Sequence, residues 1–223
     1  MDAEELLERY AAGERKFHSV NLSEENLQGL DLIGIDLYNT NLTGANLSGA
    51  NLTEADLNNT NFSKASLSNT QLNFVNASSA TFSWTDLNCA DLSWSNLSSA
   101  NLNYANLEQA NLTGINLSSA KLIYANLDTA DLSGANLSSA ELNVASLAGA
   151  NLSKANLTKA NLGDAYLIGS DFTLANLTEA ILEDAKLQNT KFHRANLYKV
   201  NLSGMNLTGI DFTPLLSLSE YSK

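Results

Sequence analysis

Few residues of this chain could do chemistry, and their spacing favours contact over catalysis. His18 and His193 lie far apart, and neither has a Cys, His, Asp or Glu cluster at metal-ligand spacing beside it. One cysteine, Cys89, cannot close an intramolecular disulfide. It also lacks the adjacent base or cation in sequence that would make it a nucleophile. No glycine-rich phosphate loop and no nucleophile elbow occurs. The expectation is no enzyme, no cofactor and no metal. The aromatic residues are different. Trp84, Tyr104 and Tyr124 recur every 20 residues, and Phe74 and Trp94 share that interval. Trp and Tyr anchor protein contacts, and contiguous exposed apolar groups mark interaction surfaces. These five residues form the candidate interaction surface. The competing reading is structural, because aromatic pairs across strands add about 0.2–1 kcal/mol each.

The elements that position them follow from a period of five. From Phe17 to Phe212, forty positions occur at that spacing; thirty-nine are Leu or Phe, and Ala77 is the break. Two residues before each such centre stands a small residue, as at Ala45, Ala50 and Ala100. One before it stands Asn or Asp, as at Asn46 and Asp56, and the two positions after it are polar or small. A period of five matches neither an amphipathic helix nor a flat strand. In extended backbone the small residue and the centre point inward and the Asn between them points outward. The two residues after the centre must turn the chain, which Ser, Thr, Gly and Asn do readily. Each pentapeptide is then one short side and one corner of a coil, and a short fixed period signals a stacked solenoid.

The repeated Ala-(Asn/Asp)-Leu-x-x pattern, clean at 45–49 and 135–139, resembles the pentapeptide-repeat family over about residues 15–213. The segment LLERYAAGERKF resembles the lead-in of many cyanobacterial members. The resemblance implies an all-β solenoid: a right-handed quadrilateral parallel β-helix with four pentapeptides per coil, hence about ten coils. At about 4.8 Å between coils the rod would be roughly 45–50 Å long. Features should then recur every 20 residues, as Phe62 with Phe82 and Phe172 with Phe192 and Phe212 do. Trp84, Tyr104 and Tyr124 would stack on one outward column continued by Val144, with Phe74 and Trp94 on the opposite face. Lys121 and Glu141 would pair across one coil, whereas Asn151 would keep Asp131 and Asp171 too far apart for shared acid/base work. Phe62 and Phe82 would fill the space left by Ala77, since interiors are close-packed.

Stacked coils leave open edges that need covers. Residues 1–14 are expected to form an N-terminal capping helix. Asp2 with Glu5 resembles a capping box, Ala3, Leu6, Leu7, Tyr10 and Ala11 make an apolar face, and Gly13 is the stop. The repeat β-helix would span 15–213, and 214–223, with Leu215, Leu216 and Leu218, a C-terminal cap or tail. Met205 and Ile210 suit a widening or closing end. The net charge is −12, with −4 in residues 1–14 and no Lys or Arg from 65 to 120. Without a basic stripe, direct nucleic-acid binding is not expected. No apolar run approaches the roughly 20 residues of a membrane span. The acidic N-terminus lacks a signal-peptide pattern, so the expected location is cytoplasmic.

The reading is a non-catalytic structural or protein–protein interaction module, a monomer or weak dimer with an unidentified protein partner. The alternative is a DNA-mimicking modulator of DNA gyrase or topoisomerase, an action that the family resemblance implies for some members. This chain departs from those members, with no insertion loop from 17 to 212 and no amphipathic C-terminal helix.

Overall fold

A helix of nine residues, α1 (Ala3–Ala11), precedes the repeats in the computed structural model, which describes residues 1–212. The expected C-terminal cap over 214–223 lies outside the described residues. Asp2 caps α1 by accepting the Glu5 N–H at 2.8 Å. The capping box is only half made, because the Glu5 carboxylate turns instead to Arg9, 3.2 Å away. The buried stripe is also narrower than the sequence suggests. Leu6 is fully buried and Ala3 and Tyr10 are partly buried, while Leu7 and Ala11 stay exposed. Three bonds tie α1 to the repeats: Ala3 N–H to Glu25 Oε2 at 3.0 Å, Tyr10 O–H to the Ile33 carbonyl at 2.9 Å, and Arg15 Nη1 to the Tyr10 carbonyl at 2.8 Å. Gly13 then takes φ +97° and lets the chain leave the helix.

From Lys16 onward, the bridges each join residue n to residue n+20 in parallel. Four turns fall in each such interval, so a coil has four sides. The pentapeptide 46–50 shows how the backbone is satisfied. Asn46 N–H donates to the Glu25 carbonyl one coil back, and Leu47 and Gly49 donate to Ser66 and Ser68 one coil on. Ala50 N–H closes the turn onto Leu47, 2.9 Å away. Ser48 N–H, which has no backbone acceptor, donates to Asn46 Oδ1 at 3.1 Å. All the N–H groups of the unit are thereby paired, as a packed backbone requires. The Asn or Asp before the centre is selected for this bond.

The turn itself has positive φ at its second central residue only, as at Gly44 (+68°) and Gly49 (+69°), which defines a type II turn. The same left-handed φ holds at non-glycine corners such as Asn59, Ser99 and Tyr104. Outward Asn side chains add a second ladder. Asn96, Asn116, Asn136 and Asn156 each donate through Nδ2 to the Oδ1 one coil back, at 3.0–3.2 Å.

The interior is a column of Leu and Phe with Ala between the layers, nearly all fully buried. Phe62 and Phe82 stack at 4.9 Å and 6°, and Phe172, Phe192 and Phe212 form a second stack. Where Thr replaces the inward Ala, its hydroxyl is satisfied: Thr60 and Thr85 donate to the carbonyls of Leu37 and Phe62. At the C-terminal end the coils separate. Among the described residues no bridge joins Ile181 to Asn201 or Lys186 to Asn206, and pairing resumes at Lys191 and Asp211. A space of about 770 Å³ opens there, lined by Ile181, Lys186, Gln188 and Met205 among others. Met205 lines this space, at the end where a widening or a closing was expected.

Ala77 is fully buried in the layer next to the stacked Phe62 and Phe82. On the expectation that these two rings fill the space beside Ala77, Ala77→Leu would overpack the core and lower stability by about 1–3 kcal/mol. Urea unfolding measures this, and a marked gain in stability would show instead that the layer holds a void.

Candidate protein-interaction surface

Turn geometry decides which side chains project furthest. The left-handed residue of each corner points away from the core, and it ordinarily is Gly, Asn, Ser or a charged residue. Five large aromatic residues occupy such corners: Phe74 (φ 61°), Trp84 (62°), Trp94 (59°), Tyr104 (61°) and Tyr124 (59°). A bulky side chain there is a backbone outlier that costs about 1–2 kcal/mol. All five are exposed, from 43% at Tyr104 to 62% at Trp94. The five residues expected from sequence are thus outward, on two opposite corners of the coil.

The two corners are built differently. Trp84 and Tyr104 stack at 4.3 Å and 4°, and Tyr104 and Tyr124 at 5.1 Å and 7°. Tyr104 is covered on both faces, so this column presents ring edges and hydroxyls. Phe74 and Trp94 are also one coil apart, yet no ring contact joins them among the described residues. Trp94 instead lies over Gly114, where an added Cβ would meet Cε3 at 2.5 Å and Cζ3 at 2.6 Å. Sequence spacing alone could not separate a stack from an open pair. The missed signals are the glycine one coil after Trp94 and the residues around Phe74, Val75 and Ser95, where Ala is usual.

The remaining expected features hold less chemistry. Lys121 and Glu141 bridge through their backbones but form no ion pair. Exposed pairs gain little against side-chain entropy, which explains the difference. Ion pairs do form further on: Lys199 and Lys159 flank Glu179 at 2.7 and 3.9 Å, and Lys191 meets Asp171 at 3.7 Å. The hydrogen bond from Lys199 lowers the pKa of Glu179. Burial raises that of Asp171, but bonds from Thr173 and the Lys191 charge outweigh it. Asn151 donates to Asp131 at 3.0 Å and separates it from Asp171, as spacing implied. His18 pairs with Asp36 and meets the edge of Tyr38, a contact missed because 18 and 20 residues separate the partners. Cys89 is exposed, with Sγ 3.8 Å from Gln109 Oε1. Among the described residues no His, Cys, Asp and Glu group is placed to hold a metal ion, and no helix is long and apolar enough to cross a membrane.

The family description "Pentapeptide repeats", in 8 copies, matches overlapping spans that run from residue 16 to residue 213. The chain belongs to the pentapeptide-repeat family. Among solved structures it is similar to HetL, a pentapeptide-repeat protein involved in heterocyst differentiation regulation from the cyanobacterium Nostoc sp. strain PCC 7120. That match has 34% identity and TM-score 0.68, and covers 95% of this chain and 92% of HetL. It is also similar to trypsin-treated QnrB1, a plasmid-mediated fluoroquinolone resistance protein, at 17% identity and TM-score 0.56, over 88% of each chain. The QnrB1 likeness shows the fold alone. No curated protein matches the chain. These pentapeptide-repeat neighbours are of the right-handed quadrilateral β-helix type, as the family resemblance implied.

Two substitutions probe the corners. Tyr104→Ser removes both stacking contacts of its column and is expected to cost about 1–2 kcal/mol, roughly twice the effect of Tyr124→Ser. Equal losses in thermal unfolding would show that the stack is not pairwise. Gly114→Ala is expected to displace the Trp94 indole and lose about 1–2 kcal/mol at its left-handed φ. Trp94 fluorescence, read in a Trp84→Phe background, reports the displacement.

Proposed function

We propose that the chain is a non-catalytic protein-binding rod whose exposed aromatic corners contact a protein partner. The observation that carries this reading is the placement of Phe74, Trp84, Trp94, Tyr104 and Tyr124 at left-handed corners. Small or polar residues fill most other corners without comparable exposed apolar surface. Strained positions concentrate where function requires a particular side chain. At Phe74 and Trp94, where no ring stack offsets the strain, replacement by a polar residue would relieve it and improve solubility, so contact with a partner is the role that explains their retention.

In this reading the rod has about ten coils over 15–213. Residues 1–14 cap its N-terminal edge through α1. It works in the cytoplasm as a monomer or weak dimer. HetL is described as involved in the regulation of heterocyst differentiation. A regulatory contact between proteins is the corresponding role here. Action on gyrase by DNA mimicry is the weaker reading, because lysines interrupt the acidic surface and pair with it near Asp171 and Glu179.

Selection of a displayed peptide library against the intact rod tests the proposal. Enriched peptides should bind at least tenfold more weakly to F74S/W94S or to W84S/Y104S/Y124S, each checked for folding by thermal melt. Undiminished binding to both folded variants would remove the aromatic corners from the function.

A further inference from the structure

We propose that Phe74 and Trp94 form an open aromatic jaw that takes the guanidinium of an arginine presented by a protein partner. The inference rests on the protein-binding reading above and assigns it to one corner and one chemistry.

The jaw is open for structural reasons. Adjacent coils lie about 4.8 Å apart, so two upright rings in one column would stack. Trp84 and Tyr104 do so at 4.3 Å. Trp94 instead lies down on Gly114, a space that a side chain would close. Its face towards Phe74 is left without a ring contact, and Trp94 and Phe74 are 62% and 56% exposed.

The turn beneath Phe74 is also unusual. Among the described turns from Leu22 onward, that of 72–75 alone lacks its own backbone bond. The buried Ser95 hydroxyl takes its place. It accepts the Val75 N–H at 3.0 Å and donates to the Leu72 carbonyl at 2.6 Å. By contrast, Thr85 donates to the Phe62 carbonyl while Ala65 keeps the direct bond to it. Phe74 therefore stands on an opened turn, and Val75, bulkier than the usual Ala, occupies its closing position.

Charge selects the occupant. Glu54 holds the same corner one coil before Phe74, and Asp91 lies three residues before Trp94 on the same side. The Asp91 carboxylate is fixed by the Ser93 N–H and Asn111 Nδ2, each at 3.0 Å. No Lys or Arg occurs from 65 to 120 to compete for the site. A phosphate-bearing ligand would meet repulsion, whereas a cation would gain both carboxylates. Arginine fits better than lysine, because guanidinium is planar, weakly hydrated and stacks on aromatic faces. In the stacked column opposite the facing rings lie directly on one another, which leaves no slot between them.

Titration with a tetra-arginine peptide, followed through the two indole N–H resonances, is the test. Tetra-lysine and tetra-citrulline peptides serve as controls. The expected result is a shift of Trp94 without one of Trp84. Binding should be at least fivefold tighter than for the lysine peptide, with little response to citrulline. Phe74→Ser and Phe74→Leu should each weaken it about tenfold, and Glu54→Gln about two- to threefold, with the Trp84 resonance unchanged as proof of folding. Equal binding of lysine, an equal shift of Trp84, or full binding by the folded Phe74 variants would overturn the jaw. Should the jaw fail while library-selected partners still depend on the aromatic corners, the protein-binding reading survives. Failure of both experiments removes both.

Discussion

A coil with sides of five residues has too little regular strand to satisfy its backbone by sheet pairing alone, and this constraint shapes the rest. In the regular unit the N–H after the centre faces no carbonyl. The side chain of the preceding Asn or Asp accepts it, as Asn46 does for Ser48. The same side chains then bond to their equivalents one coil away, through Asn96, Asn116 and Asn136. One residue type thus satisfies the turn locally and joins neighbouring coils. The inward Leu supplies the larger driving force, about 1.5–3 kcal/mol for each buried side chain. That force also sets register, since a slip of one residue would carry the Leu column out of the core. The Asn–Asn bonds between coils hold the same register from outside.

The price of this economy is paid at the corners. A type II turn requires positive φ at one residue of every pentapeptide, and glycine fills only some of these positions. Most of the others are occupied by Ser, Asn or a charged residue, whose outward side chains keep the rod in water. At Trp84, Tyr104 and Tyr124 the strain is offset in part by ring stacking, about 0.5–1.5 kcal/mol per pair. At Phe74 and Trp94 no stacking offsets it. The two aromatic corners therefore differ in energetic standing. One stabilises the fold with its own contacts, while the other carries exposed rings and an opened turn without such compensation.

What the sequence disclosed divides along the same line. The Leu period and the inward Ala placed the core, including Phe62 and Phe82, because the repeat determines which way each residue faces. Spacing by 20 likewise placed Trp84 over Tyr104. It could not distinguish that stack from Phe74 and Trp94, which share the spacing. Their difference depends on Gly114, a coil further on, and on Ser95 exchanging bonds with a turn 20 residues earlier. Such contacts are long-range in sequence and become visible only when coils are laid on one another. Lys121 and Glu141 failed to pair for a different reason: adjacency on an exposed face supplies opportunity, and solvent removes most of the incentive.

In a repeat protein the residues that obey the pattern specify the fold, so function must be sought among those that depart from it. Leu, Ala and Asn at their standard positions are demanded by packing and hydrogen bonding, whatever the rod does. They also contribute to its likeness to other members, so shared identity by itself transfers the coil more securely than the role. Val75 and Ser95 depart from the pattern at inward positions, and Phe74 and Trp94 depart from it at neighbouring corners. The first pair alters the turn that carries the second. A defect tolerated for stability alone would be expected to scatter along the rod. Here the exceptional turn, the unstacked rings and the cation-free coils coincide, which is the arrangement expected when a regular scaffold yields locally to recognition.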